Sequence, residues 1–468
     1  MNKLPLTIKE TQSGLLKKEY TAVDLVKGYL DNIRAKDKDL NSFLTIAENE
    51  AFESAKDTDQ LIKKDGEKAF TNKPLLGVVV AHKDIFLTKG VRTTAASKVL
   101  ESYVPVYSST SVKRIQEAGA IVMGKLNMDA WAHGSSGENS DFGSTKNPWS
   151  KSHVPGGSSS GSGAALAANF SLITTGTDTC GSVRLPANYC GVYGFKPTYG
   201  AVSRYGVIAM ASSLDSVGHF GRTAGDIRKV FNVTRGEDGK DATVKNFHDD
   251  KKTGKLTIGV PREFFGKGLN EEVRKSIEEA LSVFEKDGYS LKEISLPHTK
   301  YGISVYYIVQ PAEVSSNLGR YDGIRYGNTR GSFGDEAKRR IMLGSYVLSS
   351  GYYDAYYLRA MKVRSRIIEE INEAYKKVDV IIAPVAPTPP FKLGEKVDDP
   401  LQMYLTDIFA ATANLSGTPA LSVPFGFTKD KLPLGFQIMG PRFSEERIFT
   451  MAERFEKLTN YIPSVAKI

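Results

Sequence analysis

LITTGTDTCGSVRLPA, residues Leu172–Ala187, runs an apolar, β-branched segment into a turn of small residues. Leu172–Thr175 has the make-up of a short buried strand. In the turn Gly176–Ser182, glycines and small side chains allow consecutive backbone N–H groups to converge on one point. Such a convergence suits an oxyanion, and Ser182 closes the turn where it can attack a carbonyl polarised by those groups.

A serine is a poor nucleophile until a base takes its proton. Histidines are sparse here, six in 468 residues. The alternative base is a lysine whose pKa burial lowers from ~10.4 toward neutrality. GVVVAHKD (Gly77–Asp84) supplies one, Lys83, at the end of an apolar strand-like run. Between the two lies PGGSSSGSG (Pro155–Gly163). A flexible linker would be flanked by polar residues, but the small-residue helix Ala164–Ala168 follows directly. No Gly-Lys-Ser/Thr follows either, which argues against a phosphate loop. GSSSG formally fits a nucleophile elbow centred on Ser159, but no strand precedes it and no histidine lies late in the chain. Serines and a lysine without an obligatory histidine suggest amide hydrolysis through a Ser–Ser–Lys relay.

Working outward, strand-like runs at Leu76–Ala81 and Ala120–Gly124 alternate with the helical pattern Ser111–Ala118. Further strands are expected at Leu256–Val260, Leu291–Leu296, Val380–Pro384, Ala420–Pro424 and Leu434–Met439. Helical patterns cover Asn270–Asp287, Asp335–Lys377 and a closing segment from Ser444. This alternation predicts an α/β fold around a mixed, largely parallel sheet. Residues 1–65 read as helices, with Thr21 and Asp24 placed as a capping box. The polar stretch Asp238–Lys255 reads as a surface connection. No internal repeat is visible, so residues 1–468 are read as one compact domain, with 66–235 as its catalytic core and 300–377 as a helical segment.

A 41% hydrophobic, 25% charged composition is that of a globular protein with a sizeable core. A net charge of +9 is compatible with an acidic partner but is thinly spread over the chain. Two cysteines and scattered histidines supply neither a disulfide framework nor a metal site. The N-terminal residues carry no apolar signal core, and no run approaches ~18 apolar residues, so a cytoplasmic protein without a membrane segment is expected.

Lys83, the GGSSSGSG run and GTDTCGSVRLPANYCGVYGFKPTYG (Gly176–Gly200) together resemble the amidase signature family. That resemblance implies a layered α/β/α fold with a central mixed sheet. It implies a triad of Ser182 as nucleophile, Ser158 as bridging cis-serine and Lys83 as base. It also implies an oxyanion hole from the turn, at Thr179, Cys180 and Gly181, and no metal. Two positions depart from the family's GGSSGGS and TDTGGS patterns, where Ser160 and Cys180 replace glycines. A residue forced to positive φ there would cost about 1–2 kcal/mol. Cys180 also opens the alternative of a thiol nucleophile.

SSNLGRYDGIRYG (Ser315–Gly327), KRRIMLGSYVLSSGYYDAYY (Lys338–Tyr357) and DDPLQMYLTDIFAATANLSGTPALSVP (Asp398–Pro424) are similar to the A-subunit branch of tRNA-dependent amidotransferases. This implies hydrolysis of glutamine, with ammonia passed to a B subunit that uses ATP and Mg to amidate glutamyl-tRNA(Gln), and a C subunit that stabilises the pair. No cofactor is implied for this chain itself. Free glutamine needs a cation for its carboxylate and an anion for its ammonium. By motif these are Arg340 and Asp407, with Tyr307 as a third pocket residue. The rival expectations are a stand-alone amidase for small or hydrophobic amides and a scaffold without activity.

Overall fold

The computed structural model describes residues 3–247, 252, 254–324 and 327–468. Parts of the polar stretch 238–255 and of the 315–327 motif therefore lie outside the described residues. Eleven strands among the described residues form one sheet. In chain order they are β1 (Phe43–Ile46), β2 (Val79–Lys83), β3 (Ile121–Leu126), β4 (Ile173–Asp178), β5 (Tyr193–Lys196) and β6 (Ser216–Gly221). There follow β7 (Thr257–Pro261), β8 (Ser290–Ile294), β9 (Val380–Ala383), β10 (Ala420–Phe427) and β11 (Pro433–Met439). Their spatial order is β1-β3-β2-β4-β6-β5-β10-β11-β9-β7-β8.

The pleat sorts side chains onto two faces. Leu421, Val423, Phe436, Ile438, Val380 and Ile382 pack with Ile277, Phe284, Phe449 and Phe455, from the helices Glu271–Lys286 and Glu445–Leu458. The intervening Ala420, Met439 and Ile381 pack with Val309, Ile367, Ile371 and Leu415, from helices of the segment 302–416. This period of two places different helices on each face of the sheet, a layered α/β/α arrangement.

The sheet is mixed, but not largely parallel: six of the ten pairings among the described strands are antiparallel. The difference comes from β1, β5 and β6, which sequence patterning did not show. The strand β1 also interrupts the N-terminal region read as helical. β1 and β5 have four residues each, and β5 and β6 contain the glycines Gly194, Gly218 and Gly221, which weaken a strand signal. The capping box of the helix Ala22–Leu40 forms as expected, Thr21 and Asp24 each bonding the other's backbone N–H. The zone 335–377 is divided into two α-helices, Asp335–Val347 and Arg359–Tyr375, by a π-helical segment at Tyr353–Leu358.

Three adjacent strands position the chemistry. β2 runs parallel to both β3 and β4, so their C-terminal ends emerge side by side. β2 ends at Lys83, β3 leads toward Asp129 and β4 ends at Asp178. Functional groups gather at such ends in open α/β sheets. The helix Ser160–Ala167 seats the glycine–serine run against them. It is entirely small or apolar, and a side chain on its Gly161 would come within 2.6 Å of Asn127 O.

Candidate active site

Lys83 is fully buried, and its Nζ donates to Ser158 Oγ at 2.8 Å and to Thr177 Oγ1 at 2.9 Å. Burial lowers its pKa to about 7, against the opposing pull of Asp129, Asp178 and Asp215. The Gly157–Ser158 peptide bond is cis. The loop is held from both sides. Gly157 N donates to Ser135 O at 2.7 Å, Ser159 N donates to Ser182 O at 3.2 Å, and Asp129 N donates to Ser158 O at 3.1 Å. Ser158 is buried, whereas Ser182 is partly exposed. The structure thus brings the loops of all three sequence-predicted residues together, with direct side-chain contact between Lys83 and Ser158. Ser159, the centre of the formal elbow, is buried and donates to Thr177 O at 3.4 Å.

The turn after β4 is built around a carboxylate that the sequence reading passed over. Asp178 accepts Gly181 N at 2.7 Å and Arg184 Nε and Nη2 at 3.0 and 3.1 Å. Burial opposes its charge, yet the Arg184 guanidinium holds its pKa well below the usual range. Arg184 also binds Gln437 Oε1, Ala410 O and Asn414 Oδ1, which ties the turn to β11 and to the 410–414 segment. Because Gly181 N–H is committed to Asp178, it is not a free hole donor as expected. The N–H groups of Thr179, Cys180 and Ser182 have no acceptor among the described residues.

The two replaced glycines cost no backbone strain, since neither Ser160 nor Cys180 has a positive φ. Ser160 begins a helix and donates to Thr145 Oγ1 at 3.1 Å. Positive φ falls instead on Gly181, at 106°, where a Cβ would lie 2.7 Å from Ala410 Cβ. Cys180 is buried, and burial and the Asp407 charge raise its thiol pKa well above the ordinary value. That is opposite to what a thiolate nucleophile requires.

Arg340, Asp407 and Tyr307 come together at one place. Arg340 is buried and stands over the rings of Tyr307 and Tyr404, 5.3 and 5.8 Å from their centroids. Its Nε donates to Glu336 Oε1 at 2.8 Å, Nη1 to Gln310 Oε1 at 3.0 Å and Nη2 to Gly134 O at 3.2 Å. Guanidinium carries five N–H groups, so one remains on each terminal nitrogen, matching the two oxygens of a carboxylate. Asp407 Oδ2 accepts Ser135 Oγ, and Tyr307 Oη at 3.5 Å, which leaves Oδ1 for a cation. Burial raises the Asp407 pKa to about 7. Tyr307 stacks on Tyr404 with centroids 3.6 Å apart. An ideal Cβ on Gly181 would lie 3.8 Å from Asp407 Oδ1, so this carboxylate borders the turn bearing Ser182.

Thr177, Ser135, Gln310 and Glu336 were not anticipated. Glu336 was accessible from its i,i+4 spacing to Arg340. Gln310 was visible as a lone polar residue in YYIVQP. Asp129 accepts Gly137 N at 3.0 Å and Asn139 N at 2.9 Å, so it holds the loop that backs Ser158.

Known proteins share this fold. The amidase family profile matches residues 24–449. The A subunit of glutamyl-tRNA(Gln) amidotransferase from Geotalea daltonii is 47% identical over 98% of this chain and 99% of its own. A second A subunit of the same enzyme, from Clostridium acetobutylicum, is 46% identical over 98% of this chain and 100% of its own. The crystal structure of the corresponding A subunit from Thermotoga maritima superposes with a TM-score of 0.84 at 39% identity, covering 99% of this chain and 100% of that one. The chain belongs to the amidase signature family.

Proposed function

We propose that this chain is the glutamine-hydrolysing subunit of a glutamyl-tRNA(Gln) amidotransferase. The observation that carries the reading is the pairing of Arg340 and Asp407 beside the Ser182 turn. Two free N–H groups and one free carboxylate oxygen complement the two charges of an α-amino acid. A neutral or hydrophobic amide would leave the remaining Arg340 N–H groups and Asp407 Oδ1 without partners, at a cost of about 1–3 kcal/mol for each unmatched group.

In this reading glutamine binds with its carboxylate on Arg340 and its ammonium on Asp407, and its side-chain amide reaches Ser182. Neutral Lys83 accepts the Ser158 proton as Ser158 takes that of Ser182. The Ser182 oxygen then bonds to the amide carbon, and the oxyanion faces free N–H groups of the turn. Collapse breaks the C–N bond, and the relay returns the proton to the departing ammonia. Water attacks the resulting glutamyl ester by the same relay, releasing glutamate and restoring Ser182. The hydrogen bond from Lys83 to Ser158 and a lysine pKa near 7 support the base assignment.

The relatives are each named as an A subunit, which supports a place in a multi-subunit enzyme; B and C subunits as its partners, in the cytoplasm, belong to the same proposal. There, ATP and Mg belong to the partner that amidates glutamyl-tRNA(Gln) with the ammonia released here. No described helix is long and apolar enough to cross a membrane. The test is the assembled enzyme with ATP and glutamyl-tRNA(Gln). Ser182→Ala abolishes amidation driven by glutamine and spares amidation driven by added ammonia. Loss of both, or rapid hydrolysis of unrelated hydrophobic amides with glutamine ignored, would sink the reading.

A further inference from the structure

Three buried hydrogen-bonding groups have no partner among the described residues: Gln310 Nε2, beside the Arg340 guanidinium, and both ring nitrogens of His133, a residue within reach of the Arg340 charge. Buried polar atoms without partners are uncommon in folded proteins, and several in one place call for an explanation. Gln310 is fixed by its other end, since its Oε1 accepts Arg340 Nη1 at 3.0 Å. The crossing of two helices sets that contact. At Gly344, one turn beyond Arg340, a Cβ would lie 1.9 Å from Pro311 O, so Gly302–Asn317 and Asp335–Val347 pack backbone to backbone. With its oxygen on the cation, the amide has its two N–H donors left over beside Arg340's own free hydrogens. His133 precedes Gly134, whose carbonyl accepts Arg340 Nη2 at 3.2 Å.

We propose that Gln310 and His133 are specificity-determining residues, two neutral donors that complete a carboxylate cradle around Arg340. A carboxylate offers about four acceptor sites. Arg340 fills two, and Gln310 Nε2 and the His133 N–H fill the others. Neutral groups suit this place because a second cation would repel Arg340. His133 stays neutral, as burial and the Arg340 charge both hold its pKa well below the ordinary value. The inference rests on the glutaminase reading and extends it. The pocket selects for the α-carboxylate itself, by hydrogen-bond geometry as well as charge.

The test compares glutamine with 4-aminobutanamide, which is glutamine without its carboxylate. Affinity is measured by calorimetry on the Ser182→Ala protein and turnover on the assembled enzyme. Gln310→Glu is the decisive variant, because it keeps an oxygen for Arg340 Nη1 but turns the donor into an anion. If the ligand carboxylate does not lie against Gln310, this variant binds glutamine as well as the parent, and the proposal fails. If Gln310 reads the carboxylate, glutamine affinity falls about a hundredfold while 4-aminobutanamide is unchanged. Gln310→Met and His133→Leu each lower glutamine affinity about tenfold, with the neutral analogue again as the control for folding. Unchanged glutamine affinity in both overturns the proposal even if Gln310→Glu fails to fold. Should the Ser182→Ala parent bind both compounds equally, the glutaminase reading falls and this inference falls with it.

Discussion

Two lysines at neighbouring strand ends are both fully buried, and their partners separate their roles. Lys125 Nζ lies 3.1 Å from Asp84 Oδ1, a closed ion pair. Lys83 meets two hydroxyls, which can take or give a proton. Its lowered pKa means that the unfolded chain binds more protons than the fold between about 7 and 10.5, so this residue makes stability rise with pH across that window. Activity needs the neutral amine and, for the substrate's ammonium, an ionised Asp407, so kcat/KM for glutamine climbs with pH to a plateau above about 7 and falls by up to about a hundredfold per unit below it. Lys83→Arg, which stays charged, leaves only the Asp407 part of this limb, about tenfold per unit, and removes about two to four orders of magnitude of turnover. Lys83→Met is equally inactive but no less stable in thermal unfolding at pH 6, because it deletes a buried cation; a large fall in its Tm there would show that the amine is structural. Cys180→Gly should keep turnover within about tenfold of the parent, since a buried thiol with a raised pKa has no part in the attack.

At the scale of elements, the turn after β4 depends on a carboxylate and a guanidinium that face each other inside the core. Both side chains of the Asp178–Arg184 pair are inaccessible to solvent. Removing the cation alone strands Asp178, and such losses run to about 3–5 kcal/mol. Arg184→Met is therefore expected to unfold at markedly lower denaturant and to lose turnover as the Gly181 hydrogen bond loosens. The double change Asp178→Asn with Arg184→Met should recover part of the stability but not the activity. Equal stability of the single and double variants would refute the coupling. The sequence disclosed this element only halfway. The strand Leu172–Thr175, the turn and Ser182 were legible because apolar runs and small-residue turns are local patterns. The Asp178–Arg184 lock was not, because the contacts that make it a lock come from Gln437, Ala410 and Asn414, more than 220 residues along the chain. The same holds for the sheet. The strands β2, β3 and β4 announced themselves, whereas β5 and β6 are extended only because their neighbours hydrogen-bond them there.

At the scale of the whole molecule, the pocket is an assembly point. Tyr307 and Arg340 come from two helices that pack on each other, Asp407 from the segment before Ala411–Ser416, and Ser182 from a turn at the strand ends. A ligand that bridges them must stabilise the fold by mass action, by about 2.7 kcal/mol at a hundred times its Kd, or a few degrees in Tm. The sign of its pH dependence follows from Asp407. In the empty pocket burial raises this carboxyl from 3.8 to about 7, so the fold binds a proton that the unfolded chain has lost, and Asp407 makes stability fall as pH rises through that window. A bound ammonium reverses the preference by favouring the carboxylate. Glutamine binding at pH 6 must then release a proton, while at pH 8 none is left to release. For the Ser182→Ala protein, glutamine at fixed concentration is expected to raise Tm more at pH 8 than at pH 6. Asp407→Asn should remove that difference and most of the shift, and Arg340→Ala should remove the shift at both pH values. A Tm gain that is independent of pH in the parent would mean that Asp407 does not hold the ammonium, and the cation-binding half of the pocket would have to be sought elsewhere.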